Sequence, residues 1–197
     1  MRLVINLILV ALIALLGYFL VKSIYDPISF KTIKDAREVA VQKKLEKIRI
    51  AQQCYLDITG TYANNFDSLK HVLMTDSFKV VKVFGDPDDP TGQKVMYQTS
   101  YANALDSIQK LGIVLEGIEN IPNGGGKDFD VEANEIIYQS ITVPVVKVKA
   151  AYKDFMGKYA SPRYKSYDKY YNPDEPGEDR YYISIGDLSR PSLSGSW

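Results

Sequence analysis

The chain has 197 residues with 24 basic and 24 acidic side chains, so no global field draws it to nucleic acid or to an anionic surface. One cysteine excludes an internal disulfide, one histidine excludes a His-cluster metal site, and fifteen tyrosines stand against one tryptophan. The sequence holds no Gly-rich phosphate loop, G-x-S-x-G elbow, H-E-x-x-H or C-x-x-C, so the expectation is a non-enzymatic chain with no cofactor and no metal.

The first element is Leu3 to Val21, an uncharged run whose one polar side chain is Asn6. As a helix it reaches about 28 Å, the thickness of a bilayer's hydrocarbon core. It has no one-sided period, as expected of a helix surrounded by lipid. Lys22, Tyr18 and Tyr25 sit at its far end, where ammonium groups and amphipathic rings favour the interface. A cleaved signal peptide has the same order of parts, but no small-x-small site follows: Gly17 is trailed by Tyr18, Phe19, Leu20 and Val21. Cys54 lies too far downstream for a lipoprotein. The reading is an uncleaved single-span anchor, residues 1–25, with the lipid bilayer as its partner.

A strict count of Lys22, Lys31, Lys34 and Arg37 against Arg2 favours a cytoplasmic C-terminal part. Long domains translocate with little regard to such a count, and a first span with so short a preceding tail resembles a signal anchor. The expectation is therefore the inner membrane, single-pass, with a periplasmic domain.

Asp26-Pro27 predicts a break or kink, because proline removes a helix donor and restricts its predecessor. A juxtamembrane amphipathic helix follows within residues 26–60, running from about Phe30 to Thr59. Val41, Leu45, Ile48, Gln52 and Tyr55 recur at spacings of four, three, four and three, an apolar stripe on a charged helix. The charges from Asp35 to Arg49 read as a solvated face, and Gly60 as the terminator. The rest, residues 61–197, is a head packed on the far end of that helix.

Within the head, Asn64 or Asn65 caps a short helix from about Phe66 to Thr75, leaving His71 on its polar side. Ser77 to Phe84 and Lys94 to Thr99 predict paired strands around the turn GDPDDPTG, whose Asp86, Asp88 and Asp89 lack the spaced Glu of a calcium loop. Tyr101 to Lys110 predicts a short helix or helical loop and Ile113 to Glu116 a short strand. A Gly-rich loop comes next, and Glu135 to Val148 reads as two strands or one bent at Pro144. Asp128, Asp130, Glu132 and Glu135 form the best carboxylate cluster, but their alternation suits an exposed loop and strand. The segment SPRYKSYDKYYNPDEPGED, rich in tyrosine and proline, predicts a surface excursion, and Arg180 to Ile185 a last strand.

The block KKLEKIRIAQQCYLDITGTYANNFDSLKHVL resembles the end of the long helix and the following turn in type IV pilins and type II secretion pseudopilins. The matching residues are Ile48, Ala51, Gln52, Tyr55, Gly60, Tyr62 and Leu69. It is also similar to a group of single-span envelope proteins of Bacteroidota that share IR-x-AQ-x-x-Y, G-x-Y and FD-x-L. The resemblance implies an α+β fold, with an N-terminal transmembrane helix and a long amphipathic helix on a small antiparallel sheet. It also implies a part in an envelope machine for secretion, motility or filament formation. The chain departs from it in lacking the Gly-Phe prepilin-peptidase site and the glutamate that follows.

Two functions fit these parts. One is a structural component that assembles with copies of itself or other envelope proteins through Val41, Leu45, Ile48 and Tyr55 and through Tyr164, Tyr167, Tyr170 and Tyr171. The other is a membrane-tethered binding or sensor domain for a peptide or cell-wall ligand. The first predicts flat faces and a stoichiometric complex, the second a monomer with a pocket.

Overall fold

The computed structural model describes residues 1–84, 96–175 and 179–197. Its first element is one continuous helix, α1 (Arg2–Thr59), with Pro27 inside it. The break expected at Asp26-Pro27 is absent. Proline removes a single donor, the amide that would have reached the Ser23 carbonyl, and costs about 3 kcal/mol. The surrounding turns keep their ladder, and the head holds the helix from Phe30 onward. Gly60 ends α1 as the sequence predicts: at φ 82° its N–H reaches the Leu56 carbonyl at 2.8 Å.

Residues 1–25 are exposed throughout, and α1 carries one stretch long and apolar enough to cross a membrane. Burial begins at Phe30 and follows a single face: Phe30, Lys34, Arg37, Val41, Leu45, Ile48, Gln52 and Tyr55. The head therefore clasps α1 along about half its length, not only at the far end. Lys34 and Arg37 interrupt the apolar pattern, and each is held by the head. Arg37 Nη1 donates to the Phe155 carbonyl at 2.6 Å, and Lys44 Nζ to the Gly117 carbonyl at 2.7 Å. The guanidinium passes over Gly157, which has φ 55° and where a Cβ would lie 3.2 Å from Nη1. Part of the charged face is thus a grip on the head.

Beyond Gly60 the chain turns under Gln52 into α2 (Phe66–Thr75), which the Asn65 side chain caps by accepting from the Ser68 amide at 2.7 Å. Phe66, Leu69 and Leu73 are buried and His71 is exposed. Strand β1 (Ser77–Phe84) pairs antiparallel with β2 (Met96–Asn103), Val80 opposite Ser100. The turn with Asp86, Asp88 and Asp89 lies outside the described residues. Strand β2 extends through Asn103, whose side chain accepts from the Leu105 amide and opens α3 (Ala104–Lys110). Ile113 to Glu116 is not a strand; its Ile113 and Leu115 are buried from an irregular segment.

The described strands form two sheets, not one. In the second, β4 (Ile141–Ala151) lies between β3 (Asp130–Tyr138) and β5 (Tyr182–Gly186), all antiparallel. Gln139 and Ser140 turn the β3–β4 hairpin with φ of 49° and 68°, the geometry that matches strand twist in a two-residue loop. Counted from that turn, Pro144 opposite Glu135 falls at a non-hydrogen-bonded position, its nitrogen directed away from β3. On that side β5 pairs only Lys147 to Ala151, so proline forfeits no ladder bond. After α4 (Tyr152–Phe155) the chain runs through short 3₁₀ turns, including Pro162–Ser166, back to the foot of α1.

Candidate functional site

Those turns wrap Phe30. The expected surface excursion is in part a core element: Tyr164 and Tyr171 are buried, while Tyr167 and Tyr170 are 43% and 57% exposed. Phe30, itself 1% exposed, stacks on Tyr164 with centroids 5.1 Å apart and planes 3° from parallel. Tyr171 and Tyr159 meet Phe30 edge-on, at 5.1 and 5.8 Å, and the Tyr171 hydroxyl donates to the Tyr159 carbonyl at 2.8 Å. Rings in these arrangements add about 0.5–1.5 kcal/mol per pair beyond area burial. Burial raises the Tyr171 phenol above its ordinary value, so it stays a donor at neutral pH.

One turn up, Lys34 Nζ lies 2.8 Å from Glu38 Oε1 and 2.9 Å from Asp168 Oδ2. Burial opposes the ammonium charge, but the two carboxylates outweigh it and raise the Lys34 pKa. Burial likewise opposes the Asp168 charge. Lys34 and the Tyr170 amide, 2.9 Å away, outweigh it and hold that carboxyl below its usual range. The latch fixes Tyr170, two residues on.

Above the latch opens a cavity of about 360 Å³ between α1 and the head. Lys34, Glu38 and Gln42 form its helix wall, and Tyr152, Tyr170, Tyr182 and Trp197 supply aromatic faces, with Arg180, Ile183 and Ser196 completing it. The Tyr152 phenol has its pKa raised by burial first and by the nearby Glu38 carboxylate second. Arg180 lies over the Tyr170 ring at 5.0 Å and Lys149 over Tyr182 at 5.5 Å. Trp197 is held there because the C-terminal segment adds to the sheet edge: Ser196 N–H donates to the Ser184 carbonyl at 2.9 Å, and the Trp197 ring lies against Gly195. Aromatic walls with a few convergent polar groups are the chemistry of sites that stack a sugar ring or seat a peptide.

Of the residues singled out in the sequence, Val41, Leu45 and Ile48 lie in the chain's own core, with Tyr55 half-buried beside it. Tyr164 and Tyr171 pack on Phe30, Tyr167 lies over the Lys34–Asp168 latch, and Tyr170 alone reaches the cavity. Glu38, Tyr152 and Tyr182 escaped sequence reasoning because they come from three separate segments. The final tryptophan was the one signal on offer. Asp130 and Glu132 flank Lys149 at 3.1 and 2.6 Å on the exposed face of β3 and β4. No group of three or more His, Cys, Asp or Glu suited to a metal occurs among the described residues.

Comparison with family models, with curated proteins and with solved structures finds no match to this chain.

Proposed function

We propose that the chain is a single-pass, membrane-anchored binding module of a bacterial envelope, its C-terminal domain periplasmic, taking a cell-wall saccharide or a peptide in the cavity under Tyr170 and Trp197. The observation that carries this reading is the four-ring cavity itself, with Glu38, Gln42 and Arg180 converging on it. The burial of the Val41, Leu45 and Ile48 stripe supports it too, since that face is already occupied by the head. The exposed apolar stretch at the start of α1 supports the anchor.

Trp197 is the sole tryptophan, so its emission reports on this cavity and nothing else. Titrating the full chain in detergent with muropeptides, oligosaccharides and peptides is expected to shift or quench that emission for one ligand class. Tyr170→Ala should weaken the response about tenfold, the loss of one stacking ring. An unchanged emission across the panel overturns the reading. Protease shaving of cells and spheroplasts, with a tag after Trp197, tests the periplasmic orientation.

A second reading, the pilin-like assembly component, is favoured by the β3–β4 hairpin tip, where Ile137 and Ile141 are 81% and 62% exposed beside Tyr138. A stoichiometric complex captured by crosslinking at Ile137, lost in Ile137→Asp, supports that alternative.

A further inference from the structure

A separate cavity of about 340 Å³ lies at the foot of the head, bounded by Lys22, Tyr25 and Asp26 of α1 and by Lys158, Arg163 and Tyr164. We propose that it binds the phosphodiester of an anionic glycerophospholipid headgroup, seating the head on the bilayer surface. The inference rests on the membrane reading of Leu3 to Val21 but not on the ligand of the upper cavity.

Three observations carry it. The first is position: Lys22 directly follows the last apolar residue of the stretch, so the cavity opens at the level where lipid phosphates lie. The second is charge. Three cations face one carboxylate, and none of the three lies within 4 Å of any carboxylate among the described residues. The third is orientation. The Arg163 guanidinium lies 4.5 Å over the Tyr164 ring and is hydrogen-bonded to the Tyr164 hydroxyl, Lys158 lies 4.9 Å over Tyr159, and Lys22 5.9 Å over Tyr18. Aromatic faces thus hold the cations while leaving donors for an anion, and an arginine fork suits two phosphate oxygens. The acyl chains of such a lipid would lie in the bilayer beside α1.

The test uses the full chain reconstituted in nanodiscs of phosphatidylcholine with a minority of phosphatidylglycerol, released into detergent and weighed by native mass spectrometry. Phosphatidylglycerol should be retained at least tenfold over its share of the bilayer. Lys158→Gln with Arg163→Gln should remove most of that preference, at about fivefold per cation. Lys22→Gln, on the helix, should lower it about fivefold without touching the head's packing. Equal retention of both lipids, or a preference untouched by all three substitutions, overturns the proposal. Inorganic phosphate that displaces the lipid from the detergent-bound chain and binds alone with comparable affinity also overturns it, marking a site for soluble phosphate. Carbonate extraction reports separately: release of the chain from membranes would sink the anchor itself.

Discussion

Gln52 holds both backbone groups of Ala63: its Nε2 donates to the Ala63 carbonyl and its Oε1 accepts from the Ala63 amide, each at 3.0 Å and fully buried. The side chain acts as a short strand partner that closes the turn from α1 into α2. Gln52→Ala strands a buried donor and acceptor at once and should cost about 3 kcal/mol. Gln52→Glu removes the donor and adds a buried charge, so it should be no milder. Urea unfolding followed by circular dichroism measures both.

Phe30→Ala should destabilise by about 3–5 kcal/mol, the usual loss for a large core ring. Its signature is regional, because Tyr164, Tyr167 and Tyr171 all lose their partner. Limited proteolysis should cut within Ser161 to Asn172 at protease levels that leave the parent intact. Cleavage spread evenly over the head would contradict this local role.

Leu45→Asp with Ile48→Asp places two carboxylates where the present side chains have no exposure. The head should unfold outright, since an unpaired buried charge costs several kcal/mol. A double variant that keeps its circular dichroism and its amount in the membrane would show that the stripe is not the floor of the head.

The Lys34–Asp168 latch gives stability a pH window. Asp168 has its pKa lowered below 3.8 on folding, so its contribution is present above that value and is lost as pH falls through the folded pKa. Lys34 has its pKa raised above 10.5, so its share is full below that value and is lost as pH climbs through the folded pKa. The latch's share of the melting temperature should be flat between these limits and fall in acid. Asp168→Asn should lower the plateau and reduce the acid slope.

Gln139 and Ser140 occupy left-handed backbone that asparagine and glycine adopt more readily. Gln139→Asn with Ser140→Gly should stabilise the chain by about 0.5–1 kcal/mol. Thermal unfolding detects that gain as a few degrees.

The last four turns of the helix stripe, Val41 to Tyr55, are legible in the sequence because apolar side chains repeat at the helical period. Phe30 belongs to the same face and was not linked to it, because Lys34 and Arg37 fill the positions between and their partners lie over a hundred residues away. Asn65 and Gly60 carried local capping chemistry that needs no tertiary knowledge. The β3–β4 turn lacks glycine, so composition hid it. Pro27 reads as a stop in any single sequence, yet one lost hydrogen bond does not end a helix held by packing on one side. The tyrosines were visible as a group, but burial divided them in a way that spacing does not encode: Tyr171 turns to Phe30 while its neighbour Tyr170 turns to Trp197's cavity.

The uninterrupted passage of α1 through Pro27 makes the apolar stretch Leu3 to Val21 and the wall of the upper cavity parts of one helix. With Leu3 to Val21 in the bilayer, Glu38 and Gln42 stand some twenty residues further along, about 30 Å by the helical rise. On the membrane reading, whatever the cavity holds is therefore kept at a set altitude over the lipid, as a gauge fixes a depth.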